Sequence, residues 1–341
     1  MRILIIKKEL ERGMIDMISL DGNDMFSYFR GIDLQDLIIY ILNTKIIYRD
    51  RLGLSAGVTF GPEIEFEKVS QELVDLYLKS VNSSFSCDCD GSLNGGGEFN
   101  SFIMRDDVGY WNILKCVCSY LKSKHVDTDH NAGGHIHVGA HVLGSDVDAW
   151  RNFIKLYTCY EGVLFRFFYG DKINGRKKIM KYAPPIADIL YKNISNYDKT
   201  KDFRRFLFSL PMEKHQAVSF WHVDIEHADE IRKGNTIEFR IPNGTVEYII
   251  WQNSINVCSK MLCSSKSGLD EEFLNYKLAN ERISSSSDFC LYQEVLLRNS
   301  LEFVDLVFNN NLDKIYFLKQ YLKDFESGYR GQYSRKKRKL F

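Results

Sequence analysis

The sequence predicts an α+β fold built around an antiparallel sheet with one polar and one apolar face. Four short segments alternate chemically active side chains with apolar ones. Gly-rich turns separate them, and strand-like and helical stretches do not follow one another in the regular order of a doubly wound sheet. The polar side chains on those segments are carboxylates, imidazoles and a guanidinium, and the apolar parity between them stays intact.

Along the chain, residues 1–55 combine a short apolar start with a helical pattern at Leu34–Leu42. Apolar spacing predicts helices over 71–81 and 107–124, and a long, largely buried helix over Trp150–Phe168. Residues 170–185 are basic and stop at Pro184-Pro185, the signature of a surface loop. Residues 215–224 and 235–241 read as strands. From about Cys263 the pattern is helical, interrupted by a Ser-rich turn at 284–287. This divides the chain into an N-terminal extension (1–55), a core (56–262) and a C-terminal helical region (263–341). The basic run Arg335–Lys339 is expected to be a solvated tail.

Lys+Arg and Asp+Glu balance at 45 each, so no global field points to nucleic acid or an anionic membrane. The apolar start is too short for a secretion signal, and no run reaches the ~18–20 apolar residues of a membrane span. The expected location is the cytoplasm, where the 8 cysteines remain thiols. Cys87/Cys89 and Cys116/Cys118 have C-x-C spacing, which is not the usual zinc pattern.

The first active segment is Val58–Glu67. On a strand, Glu63, Glu65 and Glu67 share a face, with Ile64 and Phe66 on the other. Carboxylates so placed repel unless a cation lies between them, and Mg²⁺ takes oxygen ligands; taken alone, a solvated edge strand also fits. In the second segment, Asp90-Gly-Ser leads into Asn94-Gly-Gly-Gly-Glu98, which places one carboxylate behind a glycine turn. The third, Asn131–Gly139, carries His135 and His137 on one face, a pair able to ligate metal or contact phosphate. The fourth, Asn235–Thr245, puts Glu238 beside Arg240: either an ion pair, or a metal ligand next to a two-pronged phosphate ligand. Together these residues are the equipment of nucleotide phosphoryl chemistry.

The ordered set G-x-E-x-E, D-x-S, G-G-E-F-x-S, G-x-H-x-H-V and T-I-E-F-R-x-x-x-G-T, over residues 57–255, resembles the amidoligase family. That family groups with glutamine synthetase, glutamate–cysteine ligase and other carboxylate–amine ligases. The resemblance implies a glutamine synthetase-like curved sheet with helices on its outer face. It also implies ATP with Mg²⁺ or Mn²⁺ as cofactors, and a carboxylate donor and an amine acceptor as partners. It assigns Glu63, Glu65, Glu98, His135 and Glu238 to metal, with Glu63, Glu65 and Arg240 as the catalytic set. His135, His137 and Arg240 fall near the nucleotide phosphates, with Arg166 and the basic residues Arg176, Lys177, Lys178 and Lys181 as further phosphate candidates. Pro62 after Gly61, a third glycine before Glu98, and the extra carboxylate Glu67 depart from the pattern.

The implied reaction is amide or isopeptide bond formation through an acyl phosphate. The rivals are a guanidino- or protein-kinase-like phosphotransferase on the same fold, a catalytically inactive binding module, and, more distantly, a zinc hydrolase using His135 and His137.

Overall fold

The computed structural model describes residues 34–129, 131–172, 175–281 and 294–323. The apolar start of the chain, the Ser-rich turn and the Arg335–Lys339 tail lie outside them. In chain order the elements are α1 (Leu34–Asn43), β1 (Phe60–Phe66), α2 (Gln71–Val81), β2 (Ser86–Asp88), β3 (Gly97–Asn100), α3 (Val108–Ser123), β4 (Gly134–Gly139), α4 (Val147–Phe168) and α5 (Ile179–Tyr182). After them come α6 (Ala187–Lys199), α7 (Phe203–Phe208), β5 (Val218–Ser219), β6 (Thr236–Phe239), α8 (Tyr248–Ser267), α9 (Glu271–Asn280), α10 (Glu294–Val307) and α11 (Asn311–Tyr321).

The strands form one open, wholly antiparallel sheet of six in the order β2-β3-β1-β4-β6-β5. The expected α+β class and antiparallel sheet are both present. Its apolar parity is Ile64 and Phe66 on β1, Phe99 on β3, Ile136 and Val138 on β4, and Ile237 and Phe239 on β6, all buried. Phe239 meets Phe153 edge-on at 6.1 Å and Phe168 at 6.3 Å, so α4 covers this face. Beside it, α8 touches α4, β1 and β4. Burial of aromatic groups of this size stabilises by about 1.5–3 kcal/mol each, which makes this face the main support of the sheet. Polar side chains set the helix starts: Asp146 accepts from the amides of Asp148 and Ala149 at α4, and Asp107 from Gly109 at α3.

Three local expectations change. The strand at 215–224 shrinks to Val218–Ser219, because the Ser219 hydroxyl accepts the amide of Trp221 and turns the chain out of the ladder. The late helical pattern begins earlier, at Tyr248, and α8 runs unbroken across residue 262. Its apolar period is obscured by buried polar residues with specific work. Gln252 exchanges hydrogen bonds with the backbone of Arg49 at 2.8 and 2.7 Å, and Asn253 donates to Tyr316 O and to Gln320. Finally, helices α6 and α7 lie over 187–208, where the sequence predicted no element.

Pro62 sits in a central strand, where a missing N–H would break the ladder. A bulge accommodates it. Phe60 bridges Met104 and Glu63 pairs with Asn100, so Gly61 and Pro62 oppose the three residues Ser101, Phe102 and Ile103. Only the Pro62 carbonyl is used on that side, accepting from Ser101 N at 3.3 Å.

Candidate functional site

The opposite parity of the same strands forms the site. Register pairs Glu65 with Glu98, Glu63 with His135, and His137 with Glu238. Side chains from four strands therefore project from one face into one cluster. His135 is its hub: Nδ1 lies 2.8 Å from Glu63 Oε2, 3.4 Å from Glu238 Oε1 and 3.7 Å from Glu98 Oε2, and Nε2 lies 3.4 Å from Glu65 Oε1. His137 Nε2 is 3.1 Å from Glu63 Oε1 and 3.7 Å from Glu238 Oε1. Arg240 forms an ion pair with Glu238.

The two glycines before His135 are required by close approach rather than by a turn. A Cβ at Gly133 would fall 1.0 Å from Arg176 Nη1, and one at Gly134 would fall 2.2 Å from the Trp251 ring. Gly133 thus leaves room for a guanidinium, and its amide donates to Glu65. Arg176 is buried, donates through Nη2 to the Arg240 carbonyl at 3.1 Å, and brings Nη1 to 3.8 Å from Glu65. Of the basic stretch at 176–181, this is the residue brought to the cluster. Lys177, Lys178 and Lys181 are exposed, and the Lys181 ammonium lies over the Tyr182 ring at 4.9 Å.

Arg166 is not brought to the site. It belongs to α4, behind the apolar face, and its guanidinium donates to the carbonyls of Tyr321 and Lys323 at 2.9 Å each. The sequence placed it on a buried helix but could not show that backbone oxygens take up its charge. Glu67 shares the polar parity, yet its Oε1 accepts from the Asn94 amide at 2.8 Å and from Asn131 Nδ2 at 3.1 Å. It pins the two glycine loops in place and has no contact with His135.

Two residues join the site that sequence reasoning left out. Asp90, in the D-x-S turn, groups with Glu65 and Glu98 as possible cation ligands. His222 reaches Glu238 Oε2 at 3.7 Å, and its ring lies 5.4 Å from that of His137. The D-x-S motif was a usable signal for Asp90; a lone histidine in an irregular loop gave none for His222.

Burial raises the Glu63 carboxyl pKa, but the hydrogen bond with His135 and the nearby His137 imidazole outweigh it and hold the group well below the usual range. Glu98 goes the other way: burial pushes it up to about 7, His135 opposes, and Glu63, Glu65 and Asp90 add to the rise. At His135 burial favours the neutral ring, but Glu63 and the other carboxylates prevail against it and against Arg240, and the pKa rises. Two neighbouring carboxyls so differently held mark a site where charge is managed by position.

Three overlapping groups of donors could hold a cation: Glu63, Glu98 and His135; Glu63, His137 and Glu238; Glu65, Asp90 and Glu98. Within each, the ligand atoms lie within 4.8 Å of one another. The fit to a cation is supported by buried atoms without hydrogen-bond partners, namely His135 Nε2, His137 Nε2 and Glu238 Oε2. A divalent cation would complete them. Arg176 Nε and Nη1 are likewise without partners, and suit an oxyanion. A cleft of about 730 Å³ opens beside the cluster, with Glu63, Glu98, His137 and His222 on one side and Ser101, Phe102 and Ile103 of the bulge on another.

A family model described as "Putative amidoligase enzyme" matches residues 105–262. Over this segment the chain is similar to that family. The matched segment carries β4, β6, Arg176 and His222, while Glu63, Glu65, Asp90 and Glu98 precede it. A comparison with curated proteins found no match. No helix among the described residues is long and apolar enough to cross a membrane.

Proposed function

We propose that the chain is a cytosolic, ATP-dependent carboxylate–amine ligase with a glutamine synthetase-like sheet, forming an amide or isopeptide bond through an acyl phosphate. The observation that carries this reading is the convergence, on one sheet face, of four buried or half-buried glutamates, two histidines and two arginines, several with unpartnered atoms. The family match supports it independently.

In this reading, Glu63, Glu65, Glu98, His135 and Glu238 hold divalent cations, Mg²⁺ or Mn²⁺, with Asp90 and His137 completing the set. Such cations supply positive charge against a polyphosphate. Arg240 and Arg176 bind the transferred phosphoryl group, and the cleft receives the acid and the amine. A carboxylate oxygen of the acid attacks the γ-phosphorus and ADP leaves. The amine nitrogen then attacks the acyl carbon, phosphate leaves with that oxygen, and the nitrogen loses its proton. No serine or cysteine nucleophile takes part, which agrees with the buried, raised thiols of Cys87 and Cys118.

The test is a panel of acid–amine pairs followed by ADP and phosphate release, with ¹⁸O in the acid carboxylate. The expected result is amide, ADP and labelled phosphate in equal amounts, and a hydroxamate when hydroxylamine replaces the amine. A phosphorylated acceptor without free phosphate would instead assign a phosphotransferase.

A further inference from the structure

The two ends of the cleft carry opposite charge. The β2–β3 side presents Ser86, Asp88 and Asn100, and the β6 side presents Lys233, Gly234 and Thr236. Apart from Glu63, Glu98 and the two histidines, Asp88 and Lys233 are the charged residues of the lining. Among the described residues neither pairs with an opposite charge; Asp88 Oδ2 accepts only from the neutral Asn100 Nδ2, at 2.8 Å. Strand register makes Asp88 an unfavourable neighbour. It lies directly opposite Glu98, which lies opposite Glu65, all on the polar parity. Like charges so placed on antiparallel strands destabilise the pair. The donor groups that could hold a metal take in Glu65, Asp90 and Glu98 but not Asp88, so cations in the cluster leave this carboxylate unanswered.

The surroundings suit an ammonium. With its nitrogen turned to Asp88, the Asn100 amide keeps its oxygen as an acceptor. Ser101 Oγ is shielded from solvent and has no hydrogen-bond partner. It lies over Gly61, where a Cβ would come within 3.0 Å of it, and so belongs to the polar face. Carboxylate, amide oxygen and hydroxyl supply this wall with acceptors for the three N–H donors of an ammonium. Beside them, Phe102 and Ile103 of the bulge give the same wall apolar surface, and Ile103 is 38% exposed. An apolar side chain left open in a cleft with a few polar groups fits the carbon body of a ligand.

We infer that this wall is the acceptor subsite: Asp88 binds the ammonium of a primary alkylamine whose carbon stem lies on Phe102 and Ile103. Lys233 repels that charge and leaves the β6 side of the cleft to the anionic acid. The inference rests on the ligase reading for the role of the amine, while the recognition of charge and stem rests on the lining alone. The acceptor class is an amine on an aliphatic stem, either a small alkylamine or a lysine side chain, rather than free ammonia, which has no stem for Ile103 to cover. Asp88 and Glu98 are partners across one strand spacing, about 4.8 Å. The bound amine is therefore held beside the cation cluster.

The experiment titrates the full chain, saturated with Mg²⁺, with n-pentylamine, Nα-acetyl-lysine amide, methylamine and n-pentanol by calorimetry. The expected result is that pentylamine binds about tenfold or more tighter than methylamine, through its buried stem, and far tighter than the uncharged pentanol. Asp88→Asn keeps the bond from Asn100 and removes only the charge; it should weaken pentylamine by about tenfold or more and leave Mg²⁺ affinity in place. Ile103→Ser, a second variant, should erase the advantage of pentylamine over methylamine. Tighter binding of Nα-acetyl-lysine amide than of pentylamine assigns a lysine side chain as the source of the amine, and equal or weaker binding a small alkylamine. Failure of pentylamine to bind, pentanol binding as tightly, undiminished binding in Asp88→Asn, or loss of Mg²⁺ in that variant overturns the subsite while leaving the ligase reading standing. Charge-selective binding without ADP release on any acid–amine pair does the reverse.

Discussion

On the back of β4 and β6, Ile136, Val138, Ile237 and Phe239 are enclosed by helices and fully packed. On the front of the same strands, His135 and Glu238 are buried nearly as deeply, yet each keeps an atom with no hydrogen-bond partner. The two faces arise from alternate residues of the same segments. The comparison teaches that burial alone does not separate structure from function; on this sheet the unmet valence gathers on the polar face. Two arginines repeat the lesson. Arg166, behind the apolar face, gives its guanidinium to backbone carbonyls, while Arg176, beside the polar face, retains Nε and Nη1.

This contrast breaks if the faces respond alike to mutation. Phe239→Ala should lower stability by about 3–5 kcal/mol, the cost of an emptied aromatic site, read as a lower urea midpoint at constant activity per folded molecule. Arg240→Ala should leave the midpoint nearly in place and lower kcat by about 10²–10³, the effect of removing one preorganised charge stabiliser. Affinity for a non-hydrolysable ATP analogue should change much less. Arg240→Lys should remain impaired, because an ammonium lacks the planar fork. Normal turnover in Arg240→Ala would reduce its pair with Glu238 to structure.

The third prediction uses pH. In the metal-free fold, burial and its acidic neighbours raise Glu98 from an ordinary 4.5 to about 7. As pH rises, the unfolded chain releases this proton first. Metal-free stability should therefore fall between about pH 4.5 and 7, where the folded state binds more protons, and the Glu98 contribution should be flat on either side. Cation affinity should show the opposite slope, rising by up to about tenfold per pH unit below 7 and levelling above it as the proton no longer competes. Urea melts and Mg²⁺ titrations across pH 5–8 test both signs. Glu98→Gln should flatten both curves.

The smallest effect sharpens the comparison within the polar face itself. Glu67 has the parity of Glu63 but is partnered by Asn94 and Asn131. Glu67→Gln should change stability by only about 1 kcal/mol, the net worth of such hydrogen bonds, and leave turnover close to normal. A loss of activity like that expected at Glu63 would mean that parity, rather than unmet valence, defines the site.

Much of this was legible in the sequence, because strand alternation is a period of two and survives even in four-residue strands. Glu63, Glu65, Glu98, His135, His137, Glu238 and Arg240 were all placed on one face by parity, and the structure brings them together. What parity cannot give is the third dimension. Arg176 reaches the site only because Gly133 lacks a side chain, a contact between residues 43 positions apart. His222 comes from a loop in which a serine hydroxyl ended the strand. The start of α8 was hidden because its buried polar residues answer to Arg49 and α11 rather than to an apolar period. Pro62 looked like a local oddity and instead marks the bulge that forms a wall of the cleft.

The central claim, that the polar face is completed by divalent cations carrying nucleotide phosphates, is tested most directly by calorimetric titration of a non-hydrolysable ATP analogue. The titration is run with Mg²⁺ and with EDTA, on the native chain and on Glu63→Gln. The account predicts binding that requires Mg²⁺ and is lost in Glu63→Gln, with a somewhat lower urea midpoint because the charge that His135 and His137 stabilise is gone. Equal binding in EDTA, or in Glu63→Gln, would contradict it.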